Sequence, residues 1–304
     1  MSGKKSPLLQ RFEYAAYRGV AALVRRASFD ALQRWGTRLG DLSRRALRRR
    51  DATAMRNLRA TFPDRPEAEL RAIADECWRH FGREALVYVR MQSMQLEEIA
   101  ARCEFVNAEL LENATARGKG VVLISAHFGG WEVGGLALMA VVDNLRTVAR
   151  RLDNEFLEAD LARLRARTGA DVIDRRSAAR PMMKGLAENA VIVLLPDQAV
   201  LPREGILVPF LGRPAWTTDA PAKMALRQGS VIVFGFCIPG KTGHRLEFVE
   251  AVAVDDLSDD ERDPVALTTH MNDVISRRIV ATPELWLWMH DRWKGTGVSD
   301  ADGK

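Results

Sequence analysis

A histidine five residues ahead of a carboxylate, His127-Phe-Gly-Gly-Trp-Glu132, is the pairing in this chain best suited to acid–base chemistry. On one helix the two side chains would point about 140° apart, so a direct pair requires a turn. Gly129 and Gly130 supply the backbone freedom for one. A carboxylate on one imidazole nitrogen fixes the tautomer and leaves the other nitrogen as a general base. Spacing alone leaves a second reading open, a histidine satisfied structurally. The context strengthens the chemical reading and leaves both open. Gly120–Ala126 (GVVLISA) is a short apolar run rich in β-branched residues, and Glu132–Val142 reads as a helix. His127 therefore stands where a buried strand gives way to a helix, at the sheet edge where open α/β folds place ligands.

Other patterns carry less. Gly235 to Thr242 fits the phosphate-binding expression G-x-x-x-x-G-K-[ST], but an alternating run, His244–Val254, follows it instead of a helix. Pro239 also lacks an N–H such a loop would use, so the stretch reads as a hairpin. Ser125 is outside any G-x-S-x-G, no dense His/carboxylate spacing occurs, and no G-x-G-x-x-G follows a strand. Neither a hydrolase elbow, a metal nor a dinucleotide cofactor is implied. Cys77, Cys103 and Cys237 are odd in number and widely spaced, which suits a reducing compartment.

The elements that must position His127 can be read from the apolar pattern. Strand-like runs at Thr147–Ala149, Val172–Ile173, Val191–Leu195 and Val231–Phe236 alternate with helical stretches near 154–168, 178–189 and 219–228. Asp219, Pro221 and Gly229 punctuate the last of these as cap, first turn and stop. Alternation of this kind predicts an α/β fold, a largely parallel sheet flanked by helices, with His244–Val254 antiparallel nearer an edge. Glu67–Met91 and about 264–280 are helical, and no internal repeat is present.

Charge divides the chain unevenly. Residues 1–50 hold 13 basic and 3 acidic side chains, whereas the remainder is mildly acidic within a total of +5. Two Arg-rich helices are expected there. Leu9, Phe12, Ala16, Val20 and Leu23 oppose Arg11, Arg18 and Arg25, and Leu32, Trp35, Leu39 and Leu42 oppose Arg34, Arg38, Arg44 and Arg45. This describes helices lying in a membrane interface, helices packed on the domain, or a basic nucleic-acid surface. The longest charge-free run is about 13 residues, short of a spanning helix, and no secretory signal pattern is present. Residues 1–50 thus read as a basic amphipathic helical segment, its role left open between these readings, and 51–304 as the main domain, helical to about 115.

The phrase ISAHFGGWEVGG (Ile124–Gly135) closely resembles the catalytic block of the late lipid A acyltransferases, the lauroyl/myristoyl acyltransferase family. Further blocks follow in order. Asn57-Leu-Arg-Ala-Thr-Phe62-Pro63 is similar to the family's N-terminal element, and Arg150 to Asn154 with Arg165-x-Arg167-x-Gly169 to its second. Pro196-Asp197-Gln198 with Gly205 to Thr217, and Glu284 to Lys294, resemble the remaining two. Gly130 stands where many members have Asn, and Leu211 where they have Phe. Arg18, Arg25 and Arg26 interrupt a segment that often spans the membrane in relatives.

The resemblance implies a glycerolipid-acyltransferase-like fold and O-acyl transfer to a hydroxyl of a lipid A precursor or related glycolipid. The donor would be a thioester of acyl carrier protein or coenzyme A, with no other cofactor. His127 and Glu132 would be the dyad, Glu132 orienting the base. Arg150, Asn154, Arg165, Asp197 and Gln198 would meet substrate, Asp197 alternatively only holding the loops, with Arg151, Arg203 and Arg213 as further candidates or ordinary surface arginines. Arg150, Arg165 or loop amides near Gly129 are the candidate oxyanion donors. The C-terminal Trp286, Trp288 and Trp293 read mainly as core. The expected location is the cytoplasmic face of the inner membrane, held peripherally or monotopically against anionic lipid, with residues 1–50 as the membrane-association segment. Two alternatives stand beside this: another polar-lipid acceptor of the phosphatidylinositol mannoside type, or a non-catalytic lipid-binding protein of the same fold.

Overall fold

The computed structural model describes residues 6–149, 152–168, 171–174, 177–241 and 243–296. Four helices come first: α1 (Pro7–Val24), α2 (Phe29–Ala46), α3 (Arg48–Thr61) and α4 (Glu67–Met91). After α5 (Leu96–Ala100), strands and helices alternate as β1 (Cys103–Val106), α6 (Glu109–Ala116), β2 (Val121–Ile124), α7 (Trp131–Val141) and β3 (Leu145–Ala149). Then come α8 (Glu155–Thr168), β4 (Asp171–Asp174), α9 (Ala179–Ala187) and β5 (Val191–Leu194). A hairpin of β6 (Ile206–Phe210) and β7 (Arg213–Thr217) precedes α10 (Ala220–Gln228), β8 (Val231–Pro239), β9 (His244–Ala253) and α11 (Pro264–Ala281).

Seven strands form one sheet in the order β1-β9-β8-β2-β5-β3-β4, parallel throughout except for the β8–β9 pair. The expected α/β architecture is therefore present, with β9 antiparallel to β8 and one strand from the edge. Helices cover both faces of β2, so its four residues are all buried: Val122 and Ile124 face one core, Val121 and Leu123 the other. That is why the run is continuously apolar rather than alternating. Gly229 adopts φ +71° just past α10, the left-handed stop its position predicts. Asp219 precedes α10 but makes no capping bond; it pairs with Lys223 one turn on, at 2.7 Å. Gly235–Pro239 are the second half of β8, and Gly240 and Lys241 open the turn into β9, so the stretch is a hairpin and not a phosphate loop. Thr242 is outside the described residues. Two pieces were not anticipated, the four-residue edge strand β1 and the separate β6–β7 hairpin.

The basic N-terminal helices pack unlike ordinary amphipathic surface helices. The contact face of α2 is Leu32, Gly36 and Gly40, all buried. A Cβ added at Gly40 would lie 2.3 Å from the Trp78 carbonyl oxygen of α4, and one at Gly82 only 2.2 Å from that of Gly36. Backbone-to-backbone approach of this kind tolerates only glycine. It fastens α2 to α4, so packing continues across residue 50, where a boundary was expected. Trp35, Leu39 and Leu42 stay exposed beside the contact.

In α1 the arrangement is inverted. Gln10, Ala21 and Val24 are buried, while Leu8, Phe12 and Leu23 are 78%, 73% and 67% exposed. The polar stripe holds the helix down. Asn154 Nδ2 donates to the Gln10 carbonyl (2.9 Å), Gln10 Oε1 accepts from the Glu155 amide (3.0 Å), and the Tyr17 hydroxyl donates to Gln92 (3.1 Å). The apolar stripe is left uncovered.

Gly40→Ala should destabilise the fold by about 1–3 kcal/mol, the range for overpacking a tight contact. Thermal unfolding would show a lowered Tm, and an unchanged Tm would mean that α2 and α4 separate easily.

Candidate active site

The β2–β5 register builds the site. Ile124 and Leu194 are paired as the last residues of adjacent parallel strands, and the Ser125 amide donates to the Leu194 carbonyl (3.0 Å). His127 and Asp197 each lie three residues beyond that pair, so the two loops bring them side by side at the C-terminal edge of the sheet. His127 Nδ1 stands 2.8 Å from Asp197 Oδ1, with the His127 amide donating to Oδ2 at 2.9 Å. Trp286 Nε1 donates to the same Oδ2 at 2.9 Å.

These contacts assign the tautomer. Asp197 accepts two N–H bonds on one oxygen and is acceptor-only when ionised, so Nδ1 carries the proton donated to its other oxygen. Nε2 is left as the basic nitrogen. Asp197 is 1% exposed and the His127 side chain 23%, so the carboxylate is sealed while the base keeps access. Burial by itself would raise the Asp197 carboxyl, but the His127 charge and the bonds from His127 and Trp286 hold it below the usual range. Burial likewise pushes the His127 imidazole down. The Asp197 charge and hydrogen bond, followed by the field of Glu132, outweigh it and raise the imidazole above the ordinary histidine value.

Glu132 is therefore not the residue bonded to Nδ1. It sits exposed in the first turn of α7 and acts on His127 through its charge. The carboxylate paired with His127 Nδ1 is thus Asp197, for which either a substrate contact or a loop-holding role was expected. The next residue, Gln198, lies half-buried in the same turn.

Asn154, also expected to meet substrate, is buried and committed elsewhere. Its Oδ1 accepts from the Phe156 and Leu157 amides at the start of α8, and its Nδ2 donates to Gln10 and Glu13 of α1. Arg150, Arg151 and the side chain of Arg165 lie outside the described residues. Arg203 is 79% exposed beside Glu204, and Arg213 stacks over Trp293.

The expected loop amides are also taken. Gly129 N–H donates to the Leu285 carbonyl (2.8 Å) and Gly130 N–H to that of Cys237 (2.9 Å). The next amides belong to Trp131, Glu132 and Val133, where α7 begins without a side-chain cap. First-turn amides of a helix have no intrahelical partner, and they meet developing negative charge favourably.

A mainly apolar cavity of about 240 Å³ adjoins this turn, with Phe81, Tyr88, Trp131 and Leu287 in its wall together with Glu84 and Glu132. Trp131 connects it to the base, its ring 5.4 Å from that of His127 and 5.5 Å from that of Phe81. Among the described residues no group of three or more His, Cys, Asp or Glu side chains is arranged to hold a metal ion.

The C-terminal segment completes the site. Besides Trp286, His290 Nε2 accepts from the Ala199 amide (3.1 Å) and so fastens the loop after Asp197. Arg292, fully buried, donates to the Trp216 carbonyl and Thr217 Oγ1 and stacks on Phe210. Burial pushes its guanidinium down to about 10, against the field of Asp197. Asn57 of α3 holds the other side, donating at 2.9 Å to the carbonyls of both Trp288 and His290. Apart from the second, whose Asn154 faces α1 and whose arginine side chains lie outside the described residues, the resembling blocks thus meet around one loop system.

Comparison with known proteins agrees with this convergence. Residues 3–295 match the sequence model of the family described as bacterial lipid A biosynthesis acyltransferase. The chain belongs to that family. It is 25% identical over 279 residues to the lipid A biosynthesis lauroyltransferase of Escherichia coli (strain K12), covering 91% of this chain and 89% of that one. A phosphatidylinositol mannoside acyltransferase of Mycobacterium tuberculosis (strain CDC 1551 / Oshkosh) is 28% identical over 285 residues, covering 92% and 86%. The lipid A biosynthesis myristoyltransferase of Escherichia coli (strain K12) is 25% identical over 288 residues, covering 91% and 85%. This protein is an acyltransferase whose relatives act in lipid biosynthesis, and acyl transfer to a lipid acceptor is its class of reaction.

In this acyltransferase, an NMR titration of His127 should give a midpoint above the ordinary histidine value. Asp197→Asn should move it to lower pH, because the raising charge is gone, and Glu132→Gln should move it less. A larger shift in Glu132→Gln would assign the orienting carboxylate to Glu132 after all.

Proposed function

We propose that the enzyme transfers an acyl chain from a thioester, on acyl carrier protein or coenzyme A, to a hydroxyl of a lipid A precursor or related glycolipid. The observation that carries this is the His127–Asp197 pair beside an apolar cavity. A hydroxyl is a weak nucleophile at neutral pH. His127 Nε2 takes its proton as the oxygen attacks the thioester carbonyl, and the new ester bond forms as the carrier thiol leaves. Asp197 keeps Nε2 the basic nitrogen and stabilises the imidazolium that forms; the Glu132 charge adds to that field. The first-turn amides of α7, which follow His127 closely in the chain, serve as backbone donors for the tetrahedral oxyanion. The acyl chain lies in the cavity walled by Phe81, Tyr88 and Trp131.

We further propose that the protein rests on the cytoplasmic face of the inner membrane. No described helix is long and apolar enough to cross a membrane. The uncovered stripe of α1, with Leu8, Phe12 and Leu23 outward, suits an interfacial helix, and neighbouring arginines suit anionic headgroups. Each buried Leu or Phe is worth roughly 1.5–3 kcal/mol, and each arginine near an anionic surface about 1 kcal/mol.

His127→Ala should lower acyl transfer by about 10²–10⁴-fold with the fold intact, measured with purified protein, either acyl thioester and a lipid A precursor. Full activity would remove the base from the mechanism. A phosphatidylinositol mannoside acceptor in the same assay tests the acceptor class directly. Replacing Phe12 and Leu23 by serine should weaken binding to anionic vesicles at least tenfold, and raised salt should weaken it further. Unchanged binding would remove α1 from the contact.

A further inference from the structure

Beneath the turn that follows His127 lies a group of buried titratable side chains with no role in proton transfer. Glu84, on the buried side of α4, faces His244, the first residue of β9, with Glu84 Oε2 2.8 Å from His244 Nε2. Their side chains are 11% and 6% exposed. His80, one turn earlier on α4 and 1% exposed, stands against Gly129. Burial alone would raise the Glu84 carboxyl. The hydrogen bond to His244, and the charges of His244, His80 and Arg83, hold it below the usual range.

The geometry above this pair is tight. Gly129 has φ +59°, and a Cβ there would lie 2.0 Å from the Cys237 carbonyl oxygen, so the turn is pressed onto β8. At Gly130 the space a side chain would occupy is already filled. A Cβ would meet Glu84 Oε2 at 2.6 Å and the His244 ring at 2.8 and 2.9 Å. Gly130 is also the residue before the first turn of α7, a helix without a side-chain cap. The Glu84 carboxylate therefore sits at the positive end of that helix, where negative charge is stabilising.

We propose that Glu84 and His244 are positioning residues. As a hydrogen-bonded pair they form the floor that sets the height of the Gly129–Gly130 turn and of the α7 first turn next to His127. A buried carboxylate is a poor source of net stability, because desolvation offsets what its hydrogen bond returns. Its directionality does what apolar packing cannot, fixing one distance between α4, β9 and the turn. An error of about 1 Å at a reacting centre can cost on the order of a hundredfold in rate. The inference rests on His127 being the base.

The test is a kinetic cycle on the full-length enzyme with Glu84→Ala, Glu84→Gln, Gly130→Ala and the double variant Gly130→Ala/Glu84→Ala. Gly130 has φ −95°, open to alanine, so the added methyl acts by pressing on the pair. Glu84→Ala and Gly130→Ala should each lower kcat on the order of tenfold, with donor KM within about threefold, and the double variant should be no slower than the worse single one. Glu84→Gln keeps an acceptor for His244 and should recover most of the rate. The acid limb of the pH–rate profile should stay in place in Glu84→Ala, since Glu84 is not among the charges that set His127. Multiplicative losses, or full kcat in Glu84→Ala, would overturn the proposal. If Glu84→Ala does not fold, Gly130→Ala with Glu84→Gln decides it, and full kcat in Gly130→Ala overturns it. His127→Ala in the same assay separates the two readings. Its activity would remove the base, whereas its inactivity beside a fully active Glu84→Ala removes only the floor.

Discussion

One sealed carboxylate organises this molecule. Asp197 is almost wholly out of contact with water, and it accepts the His127 amide, the His127 ring and the Trp286 indole. An ionised carboxylate in such a place is tolerable only when its lone pairs are taken up by donors. The arrangement cannot relax piecemeal, because its donors come from two distant parts of the chain, His127 and Trp286. Two parallel strands, a glycine turn and a distant C-terminal segment must all be in register before the charge is compensated.

That demand explains how the outer parts of the fold are tied in. Asn57 clasps two carbonyls of the C-terminal segment, Arg292 clasps the end of the β6–β7 hairpin, and Asn272 of α11 donates to Pro209 and Thr217 in the same hairpin. Polar side chains bonded to backbone carbonyls fix loops that have no regular pairing of their own. The surface N-terminal to these ties obeys a different rule. In α1 the protein-facing side joins Gln10 and Tyr17, which hydrogen-bond, to the buried Ala21 and Val24, while Leu8, Phe12 and Leu23 face outward.

The parts legible in the sequence are those governed by local pattern. The apolar runs around Val121–Ile124, Val191–Leu194 and Val231–Pro239 announce buried strands, and their alternation with helices announces the sheet. The place of His127 at a strand end followed directly. What escaped was non-local. Which carboxylate meets Nδ1 depends on β2 and β5 being neighbours, and strand order leaves no mark on residue spacing. Glu132 was close in sequence, whereas Asp197, 70 residues away, is close in space. Trp286 read as core because an indole buries well; its N–H partner could be found only from the fold. β1 is four residues with one charge, too short for a period to declare itself. The contact face of α2 was missed because glycines look like interruptions in an amphipathic pattern, yet they are the contact.

The third donor to Asp197 arrives late in synthesis. Trp286 lies beyond every strand of the sheet, so a nascent chain that has already made its whole sheet still holds an incompletely compensated carboxylate. Translation past Arg292 is what closes the loops over it. A product lacking this stretch through premature termination or proteolytic clipping would present the histidine and the carboxylate without the geometry that relates them.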